Sequence, residues 1–433
     1  MTTLARRLGP FDATMIVMGG IIGSGIFMNP SVVARQVTSA PLILAAWVTG
    51  GVVALLGAFV YAELAAVRPE AGGQYAYLRD AYHPAVAFIY GWALLLVVQS
   101  GGMAAVAVTF ARYTNEFVRS AMPEAMLATV TLAILAAINI LGVRSGSNTQ
   151  TALMLLKLAA IAILVVAGAL FAPKAAGAWS GGQSASLLQF GAALTPVMFA
   201  YGGWQTASFI SGELKRPQRD LVIGLLAGVT AVAIVYVAVN AVAIRVLGAD
   251  GLAATAAPGS EVMRRAFGEP GARIIAAGIA VSTLGFLSQG MLTAPRVYHA
   301  MAGDRLFFRA VGKVHPVTRV PYVAIALQAV VAIVIAVSGT YEQILSFVVA
   351  TDFIFFGLTG AAVFVFRRRG PSRGGFRTPG HPVTTAVFTL ACWTIVASTI
   401  VRSPVQSAIG IVIVLSGALA YRFWRVPGAA QSP

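Results

Sequence analysis

Charge is scarce in this chain. Asp, Glu, Lys and Arg make up 10% of its 433 residues, and only 14 side chains are acidic. So few ionic groups cannot clothe a soluble surface of this size. Cysteine occurs once, as Cys392 inside an apolar stretch, which excludes an intrachain disulfide and a thiolate metal site. The four histidines, His83, His299, His315 and His381, fall at the ends of apolar stretches or in connections, and no metal centre is read from them. Convergent acids, nucleophiles or ligands of the kind an enzyme needs are also missing from the apolar stretches. Neither an enzyme nor a cofactor is expected. Residues 1–11 are short and polar and lack the pattern of a cleavable leader.

What the chain has instead is apolar length. Hydrophobic residues reach 58% and the mean hydropathy is +0.83. Runs of about twenty such residues, enough to cross about 30 Å of hydrocarbon as a helix, recur throughout. Twelve are expected, over 12–36, 41–66, 84–111, 125–142, 149–171, 187–213, 221–246, 272–298, 320–338, 342–366, 382–401 and 405–424. Between them, 247–271 carries a candidate amphipathic helix, "GSEVMRRAFGE", and 299–319 and 367–381 are polar. The net charge of +16 is concentrated in alternate connections, for example "RRRGPSRGGFR" at 367–377. Cationic loops resist translocation, so these connections and both termini are expected in the cytoplasm. The same asymmetry explains the basic balance without nucleic acid and leaves anionic lipid headgroups as its partner.

Two of the apolar runs are broken. "MGGIIGSGIFMNP" (18–30) carries Gly23, Ser24 and Gly25 at the middle of the first span, and "FAYGGWQ" (199–205) interrupts the sixth. Each break lies in the first helix of a five-helix set, 12–171 and 187–366, with 382–424 outside both. Because five is odd, the second set enters from the opposite side, which is the arithmetic of an inverted repeat with its site at the facing breaks. A helix starting near Ser24 presents free amides to a carboxylate, and helices ending near Ile21 and Ala200 present carbonyls to an ammonium. Together they suit a zwitterionic α-amino acid. Close helix packing is the other reading of such small residues.

Several long motifs occur in order: "GGIIGSGIF", "YAELAAVRPEAGGQYAYLRDAY", "FAYGGW" with "GELKRPQRDL", and "STLGFLSQGMLTAPRVYHAMAGDRLF". On these the chain, from about residue 9 to 425, resembles the amino acid–polyamine–organocation transporters of the LeuT-like 5+5 fold, in the L-type amino acid transporter branch. The resemblance implies an all-α, twelve-helix membrane protein with helices 1 and 6 broken. It implies a substrate site at Ile21, Gly23, Ser24, Gly25, Ile26, Phe199, Ala200, Tyr201 and Gly202, with the Phe199 ring as a gate. Gln205 stands where the family usually shows Asn.

Two charges lie deep inside spans, Lys157 and Asp352. A snorkelling lysine and a helix-bridging aspartate are the plain readings. The resemblance implies that Lys157, with Ser282 and Thr283, occupies the place where sodium-coupled relatives hold their ion. Asp352 is a candidate for proton linkage. No carboxylate is expected beside the breaks, which favours a neutral substrate. The expectation is therefore a sodium-independent, alternating-access exchanger of neutral L-amino acids in the inner or plasma membrane. Proton symport, a cationic amino acid or polyamine permease, and a non-transporting sensor remain alternatives. Animal members of the branch join an ancillary subunit through a cysteine between spans 3 and 4. The corresponding "RYTNEFVRSAMPE" (112–124) has none, so no disulfide-linked subunit is expected.

Overall fold

The computed structural model describes residues 8–68, 72–118, 122–141, 147–179, 186–316, 318, 320–370 and 375–424. Regular structure among them is helical, apart from an isolated parallel bridge between Leu8 and Leu214. Prolines set many helix starts, because a first-turn residue has no amide bond to lose. Pro10, Pro84, Pro217, Pro258, Pro295 and Pro404 each open one. In chain order the helices are α1 (Pro10–Ile21), α2 (Gly25–Gln36), α3 (Ala40–Val67), α4 (Gln74–Ala81), α5 (Pro84–Ala93), α6 (Gln99–Val118), α7 (Glu124–Ile140) and α8 (Ser147–Leu170). There follow α9 (Leu187–Tyr201), α10 (Pro217–Ala254), α11 (Pro258–Thr293), α12 (Pro295–Gly303), α13 (Tyr322–Ser338), α14 (Tyr341–Arg368), α15 (Val383–Arg402) and α16 (Pro404–Ala420).

Among the described residues, seven helices are long and apolar enough to cross a membrane, or eight when the pair α1–α2, bent by 42°, counts as one. The expected twelve are not reached by this measure. Glu124–Ile140, Met154–Leu170 and Tyr322–Ser338 are apolar but shorter. The sixth expected span also changes character partway: α9 stops at Tyr201 and Trp204–Glu213 forms a 3₁₀ helix. There the hydroxyls of Thr206 and Ser208 bond the carbonyls of Gly203 and Gln205, three residues back, at 2.7 and 2.6 Å. Such side chains compete with the α-helical pattern and tighten it. Other differences are local. The third span runs on to Val118 through a π-helical turn at Leu94–Val98, and α4 forms in a stretch expected to be a connection. The amphipathic segment is helical from Pro258, before the bend at Gly268.

Hydrogen bonds sort the connections onto two faces. On one, Lys215 N donates to Leu8 O, Arg79 pairs with Asp304, Arg367 with Glu63, and Thr318 Oγ1 donates to Ile140 O. On the other, Arg35 pairs with Glu342 and reaches Ala253 O, Arg264 pairs with Glu116, Arg402 reaches Gln36, and Arg245 caps Gly168 and Ala172 carbonyls. The partners alternate along the chain as successive crossings require. The outer belt is apolar and exposed, as on Ile234, Leu390, Val412 and Leu415, which suits hydrocarbon rather than water.

Candidate functional site

The two breaks meet. Ile22 leaves the helical region at ψ 84°, ending α1, and its own amide closes the last turn on Met18 O at 2.8 Å. Chain direction recovers at Ser24, whose carbonyl accepts the Phe27 and Met28 amides at 3.0 and 3.1 Å. The Gly25 and Ile26 amides sit in the first turn of α2, where a helix offers no carbonyl behind them. In the second break Gly203 takes φ +107°, which glycine adopts freely, and its amide donates to Gln205 Oε1 at 2.9 Å. A side chain at Gly203 would run into Gly20 O, and one at Gly20 would lie 2.8 Å from Gly203 O. The interrupted segments thus touch backbone to backbone.

Polar side chains from continuous helices close over the freed carbonyls. The Tyr236 hydroxyl of α10 lies 3.1 Å from Ile21 O and 3.2 Å from Ala200 O, so one donor serves the ends of both α1 and α9. Ile21 O also accepts the Gly23 amide at 2.8 Å. From α8, the buried Lys157 ammonium donates to Ile22 O at 2.6 Å. It is engaged with the break and does not run out to a membrane surface. Ser282 Oγ has no hydrogen-bond partner, and Thr283 Oγ1 bonds carbonyls of its own helix, Ile279 and Ala280.

Between the breaks, α6, α11 and α14 lies a cavity with an envelope of about 770 Å³. Ile21, Gly23, Ser24, Gly25, Phe199 and Gly202 line it, six of the nine residues singled out in the sequence as substrate contacts. Ser24 is buried there, with the Tyr341 hydroxyl near its own. The other three face elsewhere. Ile26 borders a separate gap with Leu164 and Val242, Ala200 packs behind Gly25, and the Tyr201 hydroxyl donates to Trp47 O at 3.0 Å. Gly25 also differs from expectation: a Cβ there would sit 2.5 Å from Ala200 Cα, so its lack of a side chain serves the packing of α2 on α9.

The cavity is more polar than the broken helices alone foretell. Gln99, Gln205, Thr206, Gln289 and Thr293 line it, and so does Asp352. The expectation that no carboxylate lies beside the breaks is therefore corrected. Asp352 stands 147 residues from Gln205 in sequence, and helix packing brings its Oδ2 within 3.5 Å of the Gln205 amide nitrogen. On the face of α2 and the start of α14, the cavity is roofed. The Phe199 ring meets Tyr341 edge-on at 6.2 Å, Tyr341 donates to Asn29 Oδ1 at 2.9 Å, and the Arg35–Glu342 ion pair, 2.7 Å, lies beyond. Asn29 in turn donates to Pro196 O, tying α2 to α9.

An all-helical membrane protein whose interrupted helices wall a polar cavity has an architecture suited to carrying a solute. Among the described residues no group of His, Cys, Asp and Glu is placed to hold a metal ion. The chain belongs to the amino acid permease family, whose model matches residues 8–420. It is similar to the serine/threonine exchanger of Bacillus subtilis (strain 168), 28% identical over 96% of both chains. It is also similar to the human cystine/glutamate transporter and to the human large neutral amino acids transporter small subunit 2, each 26% identical over 96% of this chain, covering 85% and 80% of those proteins. The protein is thus a multi-pass membrane transporter of amino acids in the L-type branch of the amino acid–polyamine–organocation superfamily.

Proposed function

We propose that the chain is a sodium-independent exchanger of neutral L-amino acids that works by alternating access. The observation that carries this reading is one cavity lined by Ser24 and Gly25 at the start of α2 and by Ile21 and Phe199 at the ends of α1 and α9. A substrate carboxylate binds at Ser24 and Gly25, where helix-start amides and dipole favour an anion. Its ammonium binds at the carbonyl ends of α1 and α9, near Ile21, Phe199 and Ala200, where the Tyr236 hydroxyl is shared between Ile21 O and Ala200 O. Phe199 closes over the bound molecule.

Lys157 holds the place of a coupling cation. Its ammonium on Ile22 O supplies a fixed positive charge where a sodium ion would otherwise be recruited. Twelve crossings in an inverted 5+5 arrangement, repeats 12–171 and 187–366, agree with the alternation of the connections between two faces. Both termini lie in the cytoplasm of a cell-membrane protein by the positive-inside rule. No disulfide-linked subunit is needed, since the only cysteine, Cys392, is buried. A second reading, proton symport or a cationic substrate, has Asp352 in its favour.

Purified protein in proteoliposomes tests the proposal. Uptake of radiolabelled L-alanine, L-serine, L-threonine and L-leucine is expected without a sodium gradient, rising several-fold when the same amino acid is loaded inside. Flux that needs sodium, or that ignores internal substrate, overturns sodium independence or exchange respectively. Binding without flux marks a sensor.

A further inference from the structure

We propose that Asp352 is the proton-binding residue of this transporter, connected to the protein surface near α4 by a line of buried hydroxyl and amide side chains. The inference rests on the cavity being the amino acid site. Asp352 is 8% exposed and lines that cavity, yet Oδ1 has no hydrogen-bond partner and Oδ2 has only the long 3.5 Å contact to Gln205. A carboxylate left charged and unpaired inside a membrane is expensive, so its charge is met by something that enters the protein. Lys157 does not meet it, because that ammonium is held on Ile22 O.

Behind the carboxylate, away from the cavity, lie further polar groups that a substrate side chain would not need. Tyr61 of α3 and Tyr90 of α5 are both fully buried and within electrostatic reach of Asp352, and the Tyr90 hydroxyl has no hydrogen-bond partner. The Tyr61 hydroxyl faces Thr359, which accepts from Gln74 of α4 at 3.0 Å. Asp352 and Thr359 lie seven residues apart on α14, about 10 Å along its axis. Hydroxyls and single waters in such a row pass a proton by exchanging donor and acceptor roles, and the amide side chains between them hold those groups in line. Among the described residues that line the cavity, Asp352 is the only charged side chain. Cys392 faces it from α15, Gln99 of α6 and Gln205 share its cavity wall, and α16 carries no titratable side chain. On α4 Tyr77 is fully buried, and the charged side chains there are paired, Arg79 with Asp80 and Asp304, and Asp80 also with Arg68.

In this scheme the carboxylate takes one proton from water on the α4 side when a neutral amino acid fills the cavity, and returns it when the cavity empties. The test is proton uptake by weakly buffered, detergent-purified protein between pH 6 and 9, using whichever of L-alanine, L-serine, L-threonine or L-leucine gives the highest flux. Amino acid binding is followed in parallel by calorimetry. About one proton taken up per molecule bound is expected at some pH in this range, and none with Asp352→Asn at saturating substrate. Tyr61→Phe should slow proton entry several-fold while the number taken up at equilibrium stays the same. Substrate binding without proton uptake by the unmodified protein at any pH overturns the proposal even if no variant folds. L-Lysine binding that Asp352→Asn abolishes, again without proton uptake, overturns it in favour of a cationic side chain. Failure of every amino acid to bind instead overturns the site itself.

Discussion

Lys157 and Ser282, both buried, carry different weights. The lysine makes a 2.6 Å charge-assisted bond to Ile22 O, whereas the serine hydroxyl has no partner. Removing the ammonium leaves a carbonyl and a helix end without their counter-charge, a loss on the order of 1–3 kcal/mol. That shifts a balanced conformational equilibrium by about 5- to 150-fold. Lys157→Ala should therefore cut exchange strongly, and Ser282→Ala should leave it within about twofold. Measured uptake by Lys157→Ala within about twofold of the parent, roughly 0.4 kcal/mol, would return the residue to a purely structural role. Tyr236 belongs to the same small set: one hydroxyl spans the carbonyl ends of two broken helices, so it fixes how far apart they stand.

Between elements, the breaks are held as much by contact as by chemistry. Gly20 meets Gly203, and Gly25 meets Ala200, at distances that admit no Cβ. Gly25→Val consequently pushes α2 off α9 before it touches a ligand. Overpacking of this kind destabilises by about 1–3 kcal/mol. Its expected signature is a lowered Tm together with lost transport. A Gly25→Val protein with the parent's Tm and no substrate binding would instead mean that the added side chain fills ligand space. The roof above the cavity, Phe199–Tyr341–Asn29 and the Arg35–Glu342 pair, joins α9, α14 and α2. Opening toward that face has to separate all three elements.

For the whole molecule, orientation follows from the side on which each connection lies. Lys174 and Lys313 are exposed and belong to connections expected on opposite faces, whereas the native Cys392 is buried. A membrane-impermeant maleimide should therefore leave the unmodified protein unlabelled in intact cells. Lys174→Cys should be labelled from outside, and Lys313→Cys only after the membrane is opened. The reverse pattern would invert the topology and place both termini outside. Basic residues on the Lys313 face, including Arg368, then lie where anionic lipid headgroups are found.

The sequence by itself determined the membrane class, the family and the two interruptions, because each is local. A run of apolar side chains, or Gly-Ser-Gly inside one, states its meaning within about twenty residues. It also marked Lys157 and Asp352, since a charge inside such a run stands out. Packing decided the rest. Tyr236 lies 215 residues from Ile21 within an unbroken apolar span, with nothing nearby to distinguish it, and only the approach of α10 to α1 makes its hydroxyl a shared donor. Asp352 could not be placed beside the breaks from its own helix, because the face of α14 that meets the cavity depends on every neighbour α14 packs against. Gly25 looked like space for a ligand and became a helix contact, since a missing side chain is silent about which surface needs the room.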